Sequence, residues 1–186
     1  MDESPAVVDG APRTRRRGLP VLLALVALVV IGLDQMTKYL VVRDLTPGVP
    51  VSLIDGVLQL RLTRNPGAAF SMATGMTWIF TLIACAVSVV IVRVARRLGS
   101  VVWAVALGLL LGGALGNLTD RLFRAPGIGR GHVVDFIEYL KFPFASFPVF
   151  NVADCSVVTA AALIGLLGLL AVDVDGRRGG RPAARD

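Results

Sequence analysis

The sequence predicts an all-α integral membrane protein: four transmembrane helices with a small extracytoplasmic β-sheet on the outer face. Three observations carry that prediction. The 186 residues are 55% hydrophobic and 17% charged, with a mean hydropathy of +0.73, whereas a soluble domain of this length carries more charge. The apolar residues gather in four runs, each near the roughly twenty helical residues that cross a hydrocarbon core of about 30 Å. Polar side chains with chemical potential collect at one end of those runs.

The first run extends from about Leu19 to Val42, apolar to Leu33 and then bearing Asp34, Gln35 and Lys38. Arg15, Arg16 and Arg17 precede it, as in a signal peptide, but no small-residue cleavage site follows, so it reads as a retained helix. The second run covers about Met76 to Ala95, the third Val101 to about Leu118, and the fourth about Val152 to Val172. Between the first two, Thr46-Pro47-Gly48 signals a turn, and β-like stretches Val49–Leu53 and Val57–Leu62 flank Asp55-Gly56, which suggests a small sheet on the membrane surface. The expected organisation is a disordered basic tail (1–18), one membrane domain (19–173) with outer loops near 43–75 and 119–151, and a C-terminal tail (174–186).

Charge placement sets the expected orientation. Arg13, Arg15, Arg16, Arg17, the link residues Arg93, Arg96, Arg97, and Arg177, Arg178, Arg181, Arg185 make eleven of nineteen basic residues, all on the side of the termini. Short basic links mark the cytoplasmic face, so both termini are expected inside and the two long loops outside. The net charge of +6 therefore reflects loops rather than a nucleic-acid-binding face. One histidine and two cysteines leave little material for a zinc site, and no H-E-x-x-H occurs.

Candidate chemistry lies at the outer boundary. Asp154, in the first turn of the fourth helix, could simply complement the helix dipole. Asp135, in the apolar stretch His132-Val133-Val134-Asp135-Phe136, could be a turn or interface residue with a raised pKa. Together they suggest a dyad in which one carboxyl activates water and the other protonates a leaving amine. Asp120 competes for the second place, but neighbouring Arg121 favours its ionised form and suits it to an orienting role. Asn117 and Asn151 could orient the dyad, hold a substrate backbone, or cap helices. Asp34 and Lys38, spaced i, i+4, share a helix face and can pair. Asn65-Pro66-Gly67-Ala68-Ala69-Phe70 reads as a turn whose small residues let another backbone approach. Gly112-Gly113-Ala114 suits helix packing.

Five segments then resemble the lipoprotein signal peptidase family, in family order: Leu33–Lys38, Arg64–Ser71, Gly116–Arg121, His132–Phe136 and Phe150–Asp154. The resemblance implies four membrane helices, an extracytoplasmic β-cradle and an active site at the outer face. It makes Asp135 and Asp154 the catalytic pair. Asp34, Lys38, Asn65, Gly67, Asn117, Asp120, Arg121 and Asn151 become supporting or substrate-contacting residues. The implied substrate is a prolipoprotein whose lipobox cysteine carries diacylglycerol, cut just before that cysteine with no metal or organic cofactor, in a reaction that globomycin blocks. Membrane lipids are the other expected partner, nucleic acid is not, and nothing demands more than a monomer. The tails and the Phe123–Gly131 connection are longer than in the shorter members. Two rival readings remain: a small carboxylate-containing membrane transporter, which calls for acids through the membrane centre, and an assembly subunit binding a partner helix.

Overall fold

A computed structural model describes residues 18–67, 77–141 and 147–178. Four helices are long and apolar enough to cross a membrane: α1 (Gly18–Asp44), α2 (Thr77–Ala95), α3 (Val101–Phe123) and α4 (Val152–Leu169). Three antiparallel strands accompany them, β1 (Val51–Ile54), β2 (Leu58–Asn65) and β3 (Val133–Tyr139), ordered β1-β2-β3. The expected disordered basic tail lies outside the described residues except for Gly18, which begins α1, and so do residues 179–186 and Ala68 to Ser71; of the Gly/Arg-rich end, Arg178 is described and bridges to Val172.

Helix α3 is the central post, packed by α1, α4 and α2. Its small residues make this possible: a Cβ on Gly112 would fall 2.6 Å from Val30 Cβ on α1, and one on Gly113 would press on Ser156 and Ala153 of α4. Close backbone approach is the usual way membrane helices gain packing where lipid supplies no hydrophobic drive. At the end of the bundle near the α2–α3 link, Leu19, Leu23, Ile91, Ala104 and Leu107 form a buried cluster. There the chain folds back after α4, with Trp103 Nε1 donating to the Val172 carbonyl at 2.9 Å and Gly99 N–H to that of Val174 at 3.0 Å.

Two boundaries differ from the sequence reading. Helix α3 runs five residues past Leu118 to Phe123, so Thr119, Asp120 and Arg121 are helical rather than part of a loop. The apolar run ends at Leu118, but Asp120 and Arg124 pair at i, i+4 and sustain the last turn. Helix α4 stops at Leu169, short of Val172, where the chain turns back.

The sheet is also larger than expected. The hairpin of β1 and β2 turns at Asp55-Gly56, Gly56 taking φ 66°, a left-handed conformation that glycine adopts without penalty. The unexpected strand is β3, for which the sequence suggests no strand: Asp135 pairs with Thr63 of β2, and Asn65 with Val133. Its first four residues are all buried, so the polar–apolar alternation that betrays a half-exposed strand is missing. Val134 and Phe136 pack with Leu62 against Val41 of α1, seating the sheet on the bundle's end. Phe150 bridges to β3, its N–H donating to the Ile137 carbonyl at 3.0 Å and its carbonyl accepting from Ile137 N–H at 2.8 Å. That bridge sets the start of α4 beside β3.

Candidate active site

Every site residue anticipated from the sequence lies at the sheet end of the bundle. Asp34 and Lys38 occupy the second half of α1; Asn117, Asp120 and Arg121 the last turns of α3; Asn151 and Asp154 the start of α4; Asn65 the end of β2, with Gly67 two residues beyond it; and Asp135 the middle of β3. The structure joins them through two linked networks.

The lower network is ionic. Lys38 is fully buried, and its ammonium reaches Asp34 Oδ2 at 2.8 Å, Asp120 Oδ2 at 2.9 Å and Asn117 Oδ1 at 3.0 Å, one acceptor for each proton. Asp34 Oδ1 accepts the Ala153 N–H of α4 at 3.0 Å, and Asp120 Oδ2 accepts the Val134 N–H of β3 at 3.1 Å. Arg124 Nε adds 2.6 Å to Asp120 Oδ1. Two cations thus balance two buried carboxylates, and the cluster pins α1, α3, α4 and β3 to one another. A buried ion pair is tolerable when its remaining hydrogen-bond sites are filled, as here.

Asp120 was expected beside the charge of Arg121, which does act on it; its direct ion-pair partners, Lys38 and Arg124, are additions that the sequence did not suggest. Successive residues on a helix point about a quarter-turn apart, whereas Arg124 sits one turn on. The reading also gave no role to Gln35, whose Nε2 donates to the Gly116 carbonyl at 3.0 Å and to Asp34 Oδ2 at 3.1 Å. The signals available were the i, i+4 spacing of Arg124 and the place of Gln35 beside Asp34. Gly116 leaves room for this cluster: a Cβ there would lie 2.7 Å from Asp34 Oδ2 and 3.3 Å from Ala153 Cβ. Gly116→Ala is therefore expected to lower stability by roughly 1–3 kcal/mol, seen as a lower Tm of the detergent-purified protein.

The upper network presents the acids. Asn117 Oδ1 is occupied by Lys38 and by Asn151 Nδ2 at 3.1 Å, which turns its Nδ2 toward Asp154 Oδ1 at 2.8 Å. Asn151 and Asp154 form a capping box: the Asp154 N–H donates to Asn151 Oδ1 at 3.0 Å, and the Asn151 N–H to Asp154 Oδ2 at 3.1 Å. Asn151 Nδ2 also donates to Asp135 Oδ1 at 2.7 Å. Asn65 Oδ1 accepts the Gly67 N–H at 2.9 Å, leaving its Nδ2 to donate to Asp135 Oδ2 at 3.0 Å. Asn151 thus both caps α4 and joins the two acids.

Burial raises the Asp135 carboxyl to about 6, with the charge of Asp154 adding to the rise and the Asn65 and Asn151 hydrogen bonds opposing it. Because the folded value exceeds that of an unfolded aspartate, about 3.9, this group's contribution to stability is complete below about pH 4 and fades as pH rises through about 6. The change amounts to roughly 3 kcal/mol. Asp135→Asn should remove that part of the decline, which thermal unfolding of both proteins between pH 4 and 7 measures.

The chain is similar to known proteins over most of its length. A family model described as Signal peptidase (SPase) II matches residues 26–170. A lipoprotein signal peptidase of Rhodococcus jostii (strain RHA1) is 53% identical over 169 residues, covering 91% of this chain and 82% of that protein. One of Mycobacterium avium (strain 104) is 51% identical, covering 98% of this chain and 96% of its own. A solved structure described as "Bacterial membrane enzyme structure by the in meso method at 2.3 A resolution" superposes with a TM-score of 0.72 at 29% identity, covering 89% of this chain and 96% of the other.

Proposed function

We infer the reaction from one premise: the chain belongs to the signal peptidase II family, the lipoprotein signal peptidases. It is accordingly a bacterial membrane peptidase that removes signal peptides from prolipoproteins. Its four spans and three-stranded sheet fit that role.

The finer reading is an aspartic endopeptidase that cuts just before a diacylglyceryl-modified lipobox cysteine. The observation that supports it is Asn151, which donates its side-chain amide to Asp135 and its backbone N–H to Asp154. Asp154 would take a proton from a water whose oxygen attacks the scissile carbonyl carbon. Asp135, whose burial favours its protonated form, would give its proton to the leaving nitrogen as the C–N bond breaks. The proton gained by Asp154 then returns to Asp135 to reset the pair, which titrates as a unit. Asn65, Asn117 and Asn151 set the carboxyl directions, and Asp34, Lys38 and Asp120 hold the frame. Arg121 and Gly67 face the substrate chain.

Location fits the substrate. The acids sit at one end of the spans, where water is available, while acyl chains can lie against exposed apolar residues such as Leu33, Met36 and Val158. With the basic link Arg93–Arg97 on the cytoplasmic side, this end and the sheet lie outside and both termini inside. The transporter reading calls for ionisable groups through the membrane centre, and here they crowd one end.

The test is cleavage of a diacylglyceryl-modified precursor by the detergent-solubilised protein. A cut just before the lipidated cysteine is expected, unaffected by EDTA and blocked by globomycin, with the unlipidated precursor left whole. Equal cleavage of both precursors, or loss of activity in EDTA, would refute the finer reading.

A further inference from the structure

Helix α2 is the least embedded of the four, with Thr77, Ile91 and Ala95 its buried residues, yet its first turns touch three parts of the site. Thr77 Oγ1 donates to the carbonyl of Pro66, which follows Asn65. Thr81 Oγ1 donates to the Gly129 carbonyl at 3.1 Å, in the connection that leads to β3 and Asp135. Between them, the ring of Phe80 lies under the Arg121 guanidinium, 5.7 Å from guanidinium carbon to ring centroid.

Arg121 itself is incompletely used. Its Nη1 donates to the Asn117 carbonyl at 3.2 Å, and its charge interacts with those of Asp154, Asp135 and Asp120. Its Nε is buried and has no hydrogen-bond partner among the described residues. Such a donor is costly to leave unmade, so its presence in a polar site points to an acceptor that arrives with the substrate. A guanidinium cation over an aromatic ring is attracted to it, and that attraction limits how the side chain turns and hence where its N–H groups point.

We propose that Phe80 is a positioning residue: its ring holds the Arg121 guanidinium in place so that Nε meets a backbone carbonyl of the bound precursor. The inference rests on the lipoprotein peptidase reading and deepens it by assigning a role to the outer end of α2. Phe80 touches neither reacting atom, so its effect falls on substrate binding rather than on the chemical step. Thr77 and Thr81 keep α2 in the register that places the ring.

The test is steady-state cleavage of the lipidated precursor by the full chain and by Phe80→Leu, Phe80→Met and Phe80→Tyr. The two aliphatic variants should raise KM about two- to fivefold, the scale of one partly exposed cation–π contact, with kcat within about twofold. Phe80→Tyr keeps the ring and should restore the original KM. In an Arg121→Lys background, which lacks the planar fork, Phe80→Leu should add nothing further. Unchanged KM in both aliphatic variants would overturn the proposal. So would equal impairment of Phe80→Tyr, or the same KM rise in the Arg121→Lys background. Thermal unfolding confirms that each variant is folded, and the two aliphatic variants serve as alternatives should one not purify. Wild-type cleavage before the lipidated cysteine is the control: its absence would defeat the peptidase reading, whereas its presence with indifferent Phe80 variants would defeat this inference alone.

Discussion

Asp154→Asn and Asp135→Asn are each expected to lower turnover by about a hundredfold to ten-thousandfold, the range of a lost general acid or base. The effect follows from the hydrogen-bond donors around each acid. Both oxygens of each carboxyl accept a hydrogen bond: Asp154 from Asn117 and the Asn151 backbone, Asp135 from Asn151 and Asn65. An amide of the same shape brings an NH2 against one of those donors and cannot pass a proton in the peptide-hydrolysis cycle. The loss should therefore appear in kcat, with KM for the lipidated precursor changing little, because neither acid is assigned to holding the lipid or the signal helix. Single-turnover cleavage with excess enzyme measures it. Membrane insertion and Tm of each variant separate lost chemistry from lost fold.

The second large effect falls on stability. Lys38→Met removes the cation shared by Asp34 and Asp120 while filling a similar volume, leaving two fully buried carboxylates with only Arg124 between them. Breaking a buried ion pair from one side costs about 3–5 kcal/mol, more than most single substitutions. Activity should fall with it, since Lys38 also fixes which way the Asn117 amide faces. Converting all three residues, Lys38→Met with Asp34→Asn and Asp120→Asn, should recover part of the stability, because no unpaired carboxylate then remains in the interior, while Arg124, which loses its partner Asp120, is partly exposed to solvent. Thermal unfolding of the single and triple variants in one detergent tests both expectations. A single variant as stable as the original would mean that the cluster is not the pin described here.

How far the sequence reveals this molecule follows from which signals are local. The spans were readable because membrane crossing imposes a length and an apolar content on each helix separately. The Asp34–Lys38 pair was readable because i, i+4 neighbours share a face. Strand β3 was not: buried on both faces, Val133 to Phe136 carries no alternation, and its partner Thr63 lies some seventy residues away. The direct ion-pair partners of Asp120 were not legible for a related reason, since Lys38 comes from a different helix and Arg124 from the part of α3 beyond its apolar run. Asn151 was open between capping and orienting the acids; its side chain does both, which only the bridge between Phe150 and Ile137 makes possible. Phe80 had no signal in the sequence, because an aromatic residue in an apolar helix looks like any other lipid-facing or packing residue.

The measurement that bears most directly on the account is turnover of the double variant Asp135→Asn/Asp154→Asn beside the two single variants, each shown to be folded. If the pair acts as one device, either substitution alone disables it, so the double variant should be about as slow as either single one. A single variant that retains turnover within about tenfold of the original, or a double variant whose loss is the product of the two single losses, would contradict the claim that Asp135 and Asp154 share the reaction.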